Sequence, residues 1–278
     1  MNELLFAFGL TLFAGLATGI GSIMAFMSKS TSPRFLSAAL GFSAGVMIYV
    51  STIEIFVKAN DSLGAVLGES AGFQLTTLAF FGGIALIALI DFLVPEYENP
   101  HEMRAMEEVE CGKEKSLERD ASKGFDDKEN LKRMGFFSAL AIAIHNFPEG
   151  LATFTGALQD PALGLSIAVA IAIHNIPEGI AVSVPIFYAT GSKKKALGWS
   201  FLSGLSEPIG ALVGYFVLMQ FMNEITFGIL FAGVAGIMVY ISLDELLPTA
   251  EKYGEHHIAI MGVISGMVVM ALSLILFA

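Results

Sequence analysis

The chain has 278 residues, of which 55% are hydrophobic and 15% charged, and its mean hydropathy is +0.70. That is too apolar for an ordinary soluble domain, and a net charge of −11 leaves no basic footprint for nucleic acid. The single cysteine, Cys111, excludes an intramolecular disulfide and any cysteine-rich metal site.

A helix needs about 20 mostly apolar residues to cross a bilayer. Eight runs reach that length: 4–27, 35–57, 73–94, 136–158, 163–189, 196–219, 225–247 and 258–277. None shows the short alternation of an outer-membrane barrel strand, so the predicted fold class is an all-α polytopic membrane protein with eight transmembrane helices. The first run follows Glu3 rather than a basic segment and has no small-residue cleavage site. It reads as a retained helix rather than a signal peptide.

The second run contains Ala44–Glu54 (AGVMIYVSTIE), and the seventh contains Ala235–Glu245 (AGIMVYISLDE), identical at six of eleven positions. Helices one to three and six to eight then form duplicated units around helices four and five. Three crossings reverse the direction of the chain, so the second unit enters the membrane the other way. The predicted plan is an inverted 3+2+3 repeat, an arrangement that places a transporter's site near the midplane.

Four segments follow from these runs. Residues 1–94 carry helices one to three, 95–134 form a mobile cytoplasmic loop, 135–190 carry helices four and five, and 191–278 carry helices six to eight. The loop has mixed charge and few aromatics, and its His101 and Cys111 are isolated ligand types on a solvated segment. Loops one, three, five and seven hold 2, 8, 3 and 1 Lys or Arg, against Lys58 alone elsewhere. The positive-inside rule makes their side cytoplasmic and turns both termini outward.

Helices four and five carry the chemistry. His145–Gly150 reads HNFPEG and His174–Gly179 reads HNIPEG; with four preceding residues each, the two copies agree at nine of ten positions. On a helix, residues i and i+4 share a face, so His145 points with Glu149, and His174 with Glu178. Asn146 and Asn175 sit beside them. Pro148 and Pro177 each remove a helical hydrogen bond, which predicts a loosened helix lining a polar cavity.

Helix six adds Ser206-Glu207-Pro208, so Glu149, Glu178 and Glu207 recur every 29 residues, one per helix. Each ionised carboxylate at the midplane costs on the order of 3 kcal/mol, and bound cations offset that cost. Two imidazoles, two amides and three carboxylates without thiolate suit Zn²⁺, Fe²⁺, Mn²⁺ or Co²⁺ rather than Cu⁺. Four other acids lie in the runs. Glu54, Asp244 and Glu245 either line an entry or exit path or lie near an interface, and both readings stand. Asp91 reads as interfacial. Glu251, Glu255, His256 and His257 read as a solvated loop.

These residues resemble the ZIP family of metal transporters, and its bacterial branch most: paired HNxPEG motifs on helices four and five, a glutamate in an SEP segment on helix six, and eight helices with outward termini. The resemblance covers essentially all eight helices. It implies uptake of divalent metal, chiefly Zn²⁺, with breadth to Fe²⁺, Mn²⁺ and Co²⁺, because many relatives carry HExPHE where this chain reads HNIPEG. It also implies a binuclear site. Glu149 and Glu178 would bridge, His174 with His145 nearby would complete the first site, and Asn146, Asn175 and Glu207 the second. Met47 matches a position lining the first site in some relatives, against the plainer reading of core packing.

Further implications are motion of helices one, four, five and six against the rest, a homodimer, and residence in a bacterial inner membrane. The partners expected are divalent metal ions and the lipid bilayer, with no nucleic acid, and no cofactor beyond the transported Zn²⁺ or Fe²⁺. An intramembrane metalloprotease would need HExxH, with a glutamate beside the first histidine; asparagine stands there instead, so no enzyme is expected. A proton- or sodium-coupled carrier of another solute is the alternative, and it leaves the two His–Asn pairs unexplained.

Overall fold

The computed structural model describes residues 3–27, 33–93, 143–144, 146–254 and 256–277. The predicted cytoplasmic loop with His101 and Cys111, the start of the fourth helix, His145 and Glu255 lie outside the described residues. The described regular structure is helical throughout.

We label the helices α1 (Glu3–Met27), α2 (Arg34–Leu67), α3 (Glu69–Leu93), α4 (146–159), α5 (Pro161–Thr190), α6 (Lys193–Val217), α7 (Glu224–Lys252) and α8 (His256–Phe277). Among the described residues, seven of them are long and apolar enough to cross a membrane, all but α4, whose predicted span is described only in part. Exposed Phe81, Leu89, Phe216 and Ile275 fit an outer surface solvated by lipid, and the chain is an integral membrane protein.

Local chemistry sets the helix ends. Asp160 caps α5 by accepting from the Ala162 amide at 2.9 Å, with Pro161 in the first turn, where its missing N–H costs nothing. Asn223 caps α7 in the same way, accepting from Thr226 N at 3.0 Å. Gly191 ends α5 at φ 64° and Gly68 separates α2 from α3 at φ 83°, a region that only glycine enters cheaply.

The predicted internal repeat reappears in packing. Val50–Ile55 of α2 and Ser242–Leu246 of α7 are both π turns, and they occupy matching places in the repeated segment. Ser51 donates to the Met47 carbonyl at 2.6 Å; its counterpart Ser242 donates to the Met238 carbonyl at 2.7 Å. The two helices run in opposite directions: Gly228 near the start of α7 meets Ala59 late in α2, and Gly254 after α7 meets Ser37 early in α2. α2 packs along α8, and α7 packs along α3 in the corresponding way. α5 lies at the centre, with 83% of its most apolar stretch buried against 17% for α3.

Candidate metal site

Asn146 and Glu149 on α4, His174, Asn175 and Glu178 on α5, and Glu207 on α6 are all 0% exposed. Backbone contact between helices makes that possible. Gly150 lies against the Glu207 backbone and Gly210 against the Phe147 carbonyl, where any Cβ would overlap. α4 and α6 therefore touch at the level of the carboxylates, with α5 beside them. Both Glu149 and Glu178 lie within electrostatic reach of Glu207.

The side chains are joined in pairs. His174 Nε2 lies 3.3 Å from Glu149 Oε1 and 3.4 Å from Oε2, close enough to donate when that nitrogen carries the proton. Asn175 Nδ2 donates to Glu207 Oε1 and, at 2.9 Å, to the Ala14 carbonyl of α1. The Ser43 hydroxyl on α2 has one proton to give and lies within reach of two acceptors on α5, Glu178 Oε1 at 3.4 Å and the His174 carbonyl at 3.3 Å. Among the described residues no three His, Cys, Asp or Glu side chains gather into one ready ligand cluster.

Several donors and acceptors in this layer have no hydrogen-bond partner among the described residues: both amide atoms of Asn146, Asn175 Oδ1 and Glu207 Oε2. A buried orphan costs about 1–3 kcal/mol, so four in one layer mark it as more than packing. Oxygens of this kind, next to carboxylates and an imidazole, are hard-to-borderline ligands for a divalent ion.

The two prolines act more mildly than expected. α5 continues as helix across Pro177, because one lost bond leaves those on either side in place. The chain departs from α-helix elsewhere, at the π turns of α2 and α7, at Leu205 of α6, two residues before Glu207, and at a further π turn over Gly214–Leu218. Pro208 cannot donate to the Gly204 carbonyl, so α6 restarts at Ser206.

The remaining candidates take no part in these pairs. Met47 is fully buried in the apolar core. Glu54 is half-buried on the α2 π turn, while on the α7 π turn Asp244 is half-buried and Glu245 is 6% exposed. Asp91 and Asp244 both hydrogen-bond Tyr240. His256 pairs with Glu251 at 2.7 Å on the surface beside His257. Sequence reasoning did not single out Ser43 or the buried Thr18. Ser43 lies one helical turn before Met47 and shares its face, the only local hint that it points inward.

The family model described as ZIP Zinc transporter matches residues 95–274. The Zinc transporter ZupT of Chlorobaculum parvum is 64% identical over 99% of both chains. That of Clostridium perfringens is 64% identical over 100% of this chain and 98% of its own length. A third, from Streptococcus mutans, is 59% identical over 100% of both. Matches of this length and identity, on a helical membrane scaffold with paired HNxPEG segments, place the chain in the ZIP family, to which it belongs.

Proposed function

We propose that this chain carries divalent metal cations into the cell, chiefly Zn²⁺ with breadth to Fe²⁺, Mn²⁺ and Co²⁺, through a binuclear site on α4–α6. One observation carries the reading: three glutamates, two asparagines and a histidine are fully buried in one layer of three adjacent membrane helices. Three midplane carboxylates together cost roughly 9 kcal/mol if ionised, and passing cations are the natural compensation. Relatives named zinc transporters at 56–64% identity support the same reading.

Glu149 and Glu178 are assigned as the bridging carboxylates. His174 and His145 serve the first ion; Asn146, Asn175 and Glu207 serve the second. Glu54 and Glu245, on matching π turns of oppositely directed helices, are assigned to the outer and inner ends of the path, with Asp244 beside Glu245 and Met47 towards the first site. The protein resides in a bacterial inner membrane as a homodimer with both termini outside.

The test is uptake of radioactive Zn²⁺ into proteoliposomes, with Fe²⁺, Mn²⁺ and Co²⁺ as competitors. Uptake no higher than in protein-free vesicles overturns the reading. The two ions are expected to separate by ligand. His174→Ala weakens Zn²⁺ most, whereas Asn146→Ala, Asn175→Ala and Glu207→Ala weaken harder ions such as Fe²⁺ most, because imidazole is the softer ligand. Equal losses for every metal in all four variants contradict two distinct sites.

Orientation has its own check. Cys111 is expected to react with an impermeant thiol reagent only from the cytoplasmic side. Asp160→Cys, in a background carrying Cys111→Ser, is expected to react only from outside. The α4–α5 connection holds no Lys or Arg to retain it within. Labelling of position 160 from the cytoplasm refutes the assigned topology.

A further inference from the structure

Close backbone approaches sort the helices into two sets. In the first, Gly21 of α1 lies against Ile176 of α5, Gly15 against Gly204 of α6, and Gly150 of α4 against Glu207. In the second, Gly45 of α2 lies against Val263 of α8 and Gly83 of α3 against Gly233 of α7. Among the described residues, every glycine approach of backbone to backbone stays within α1, α4, α5 and α6 or within α2, α3, α7 and α8. Where a glycine faces across the seam the contact is a side chain: Gly156 meets the Phe231 ring. Side-chain surfaces can slide and repack; interlocked backbones move together.

Ser43 bridges that seam. It is fully buried on α2, and its hydroxyl reaches Glu178 Oε1 at 3.4 Å and the His174 carbonyl at 3.3 Å on α5. The internal repeat supplies a comparison. Ser43 immediately precedes Ala44, and the residue preceding the matching Ala235 is Val234, buried at 3% exposure. An apolar side chain therefore satisfies the packing at this place in the fold, and the hydroxyl of Ser43 is an addition to it.

We propose that Ser43 is a latch between the two helix sets, a positioning residue that acts through Glu178. This rests on the transport reading above, with one helix set sliding against the other. Without cargo, the hydroxyl holds the Glu178 carboxylate and ties α5 to α2. A cation on Glu178 draws on the same oxygen and repels the partly positive hydroxyl proton, so the tie weakens. The loaded protein then crosses the seam more readily than the empty one, and the return of the empty protein is the slow step.

The experiment compares two rates for the full-length protein in proteoliposomes, with Zn²⁺ as the probe. Net uptake of radioactive zinc into zinc-free vesicles requires an empty return. Exchange into vesicles preloaded with unlabelled zinc does not. In the wild type, exchange is expected to exceed net uptake about tenfold, the factor for one hydrogen bond to a charged acceptor.

The decisive variants are Ser43→Thr and Ser43→Val, nearly equal in shape and differing in the hydroxyl. Threonine is expected to keep the wild-type ratio, and valine, with Ser43→Ala, to bring it close to one. Equal ratios for the threonine and valine variants overturn the latch, as does a wild-type ratio of one. A wild type that moves no zinc in either protocol overturns the transport reading itself, which separates the two failures.

Discussion

Glu149→Ala and Glu178→Ala are each expected to reduce zinc uptake to the level of protein-free vesicles, a loss of at least about 100-fold. Groups that only orient a metal ligand already contribute about 10–100-fold to metal affinity or activity, and a direct bridging ligand contributes more. Each deletion also removes one member of a buried pair: the carboxylate facing His174 in one case, the acceptor of Ser43 in the other. The loss is not expected to come from misfolding, because a buried carboxylate destabilises a membrane helix unless it is compensated. Both variants are expected to insert normally and to elute from gel filtration as the wild type does. Near-normal uptake by either variant, at matched protein density, refutes the bridging assignment.

Gly21→Ala is expected to lower stability by at least about 3 kcal/mol, the upper range for overpacking a tight interface. A Cβ at Gly21 overlaps the Ile176 carbonyl of α5, and backbone cannot rotate away as a side chain can. The variant must push α1 off the helix that carries His174, Asn175 and Glu178, so transport falls along with the thermal midpoint. Gly82→Ala is the control. Nothing lies within 4 Å of its Cβ, and alanine has the better helix propensity by about 1 kcal/mol, so its midpoint is expected to equal or exceed the wild type. A thermal melt in detergent, read by the fraction still monodisperse, distinguishes them. Equal midpoints for the two variants contradict the close approach of α1 and α5.

The candidate site was legible where its information is local. The i, i+4 relation places His174 with Glu178 on one helix, and the recurrence of glutamate every 29 residues brings Glu207 into consideration. All three glutamates are indeed buried. The pairing of those side chains was not legible. The i, i+4 rule groups His174 with Glu178, yet the His174 ring faces Glu149 on the neighbouring helix, and Glu178 receives Ser43 from α2. The prolines illustrate the same limit. Their chemistry predicts a missing hydrogen bond in α5, but one lost bond does not open a helix held by the bonds on either side, and α5 runs on across Pro177.

The amino-acid sequence by itself determined the membrane-embedded helical class, the inverted relation of its halves and the residue types of the candidate site. Hydrophobic run length, positive-charge bias and repeated motifs are properties of the chain read in order, and a bilayer imposes the rest by requiring every backbone group to be bonded internally. Tertiary structure alone decided which helices touch through their backbones, where α2 and α7 take their π turns, and which partner each buried carboxylate finds. Those outcomes depend on how helices distant in the chain cross and rotate against one another. A shift of about an ångström there exchanges one hydrogen-bond partner for another without altering any local pattern.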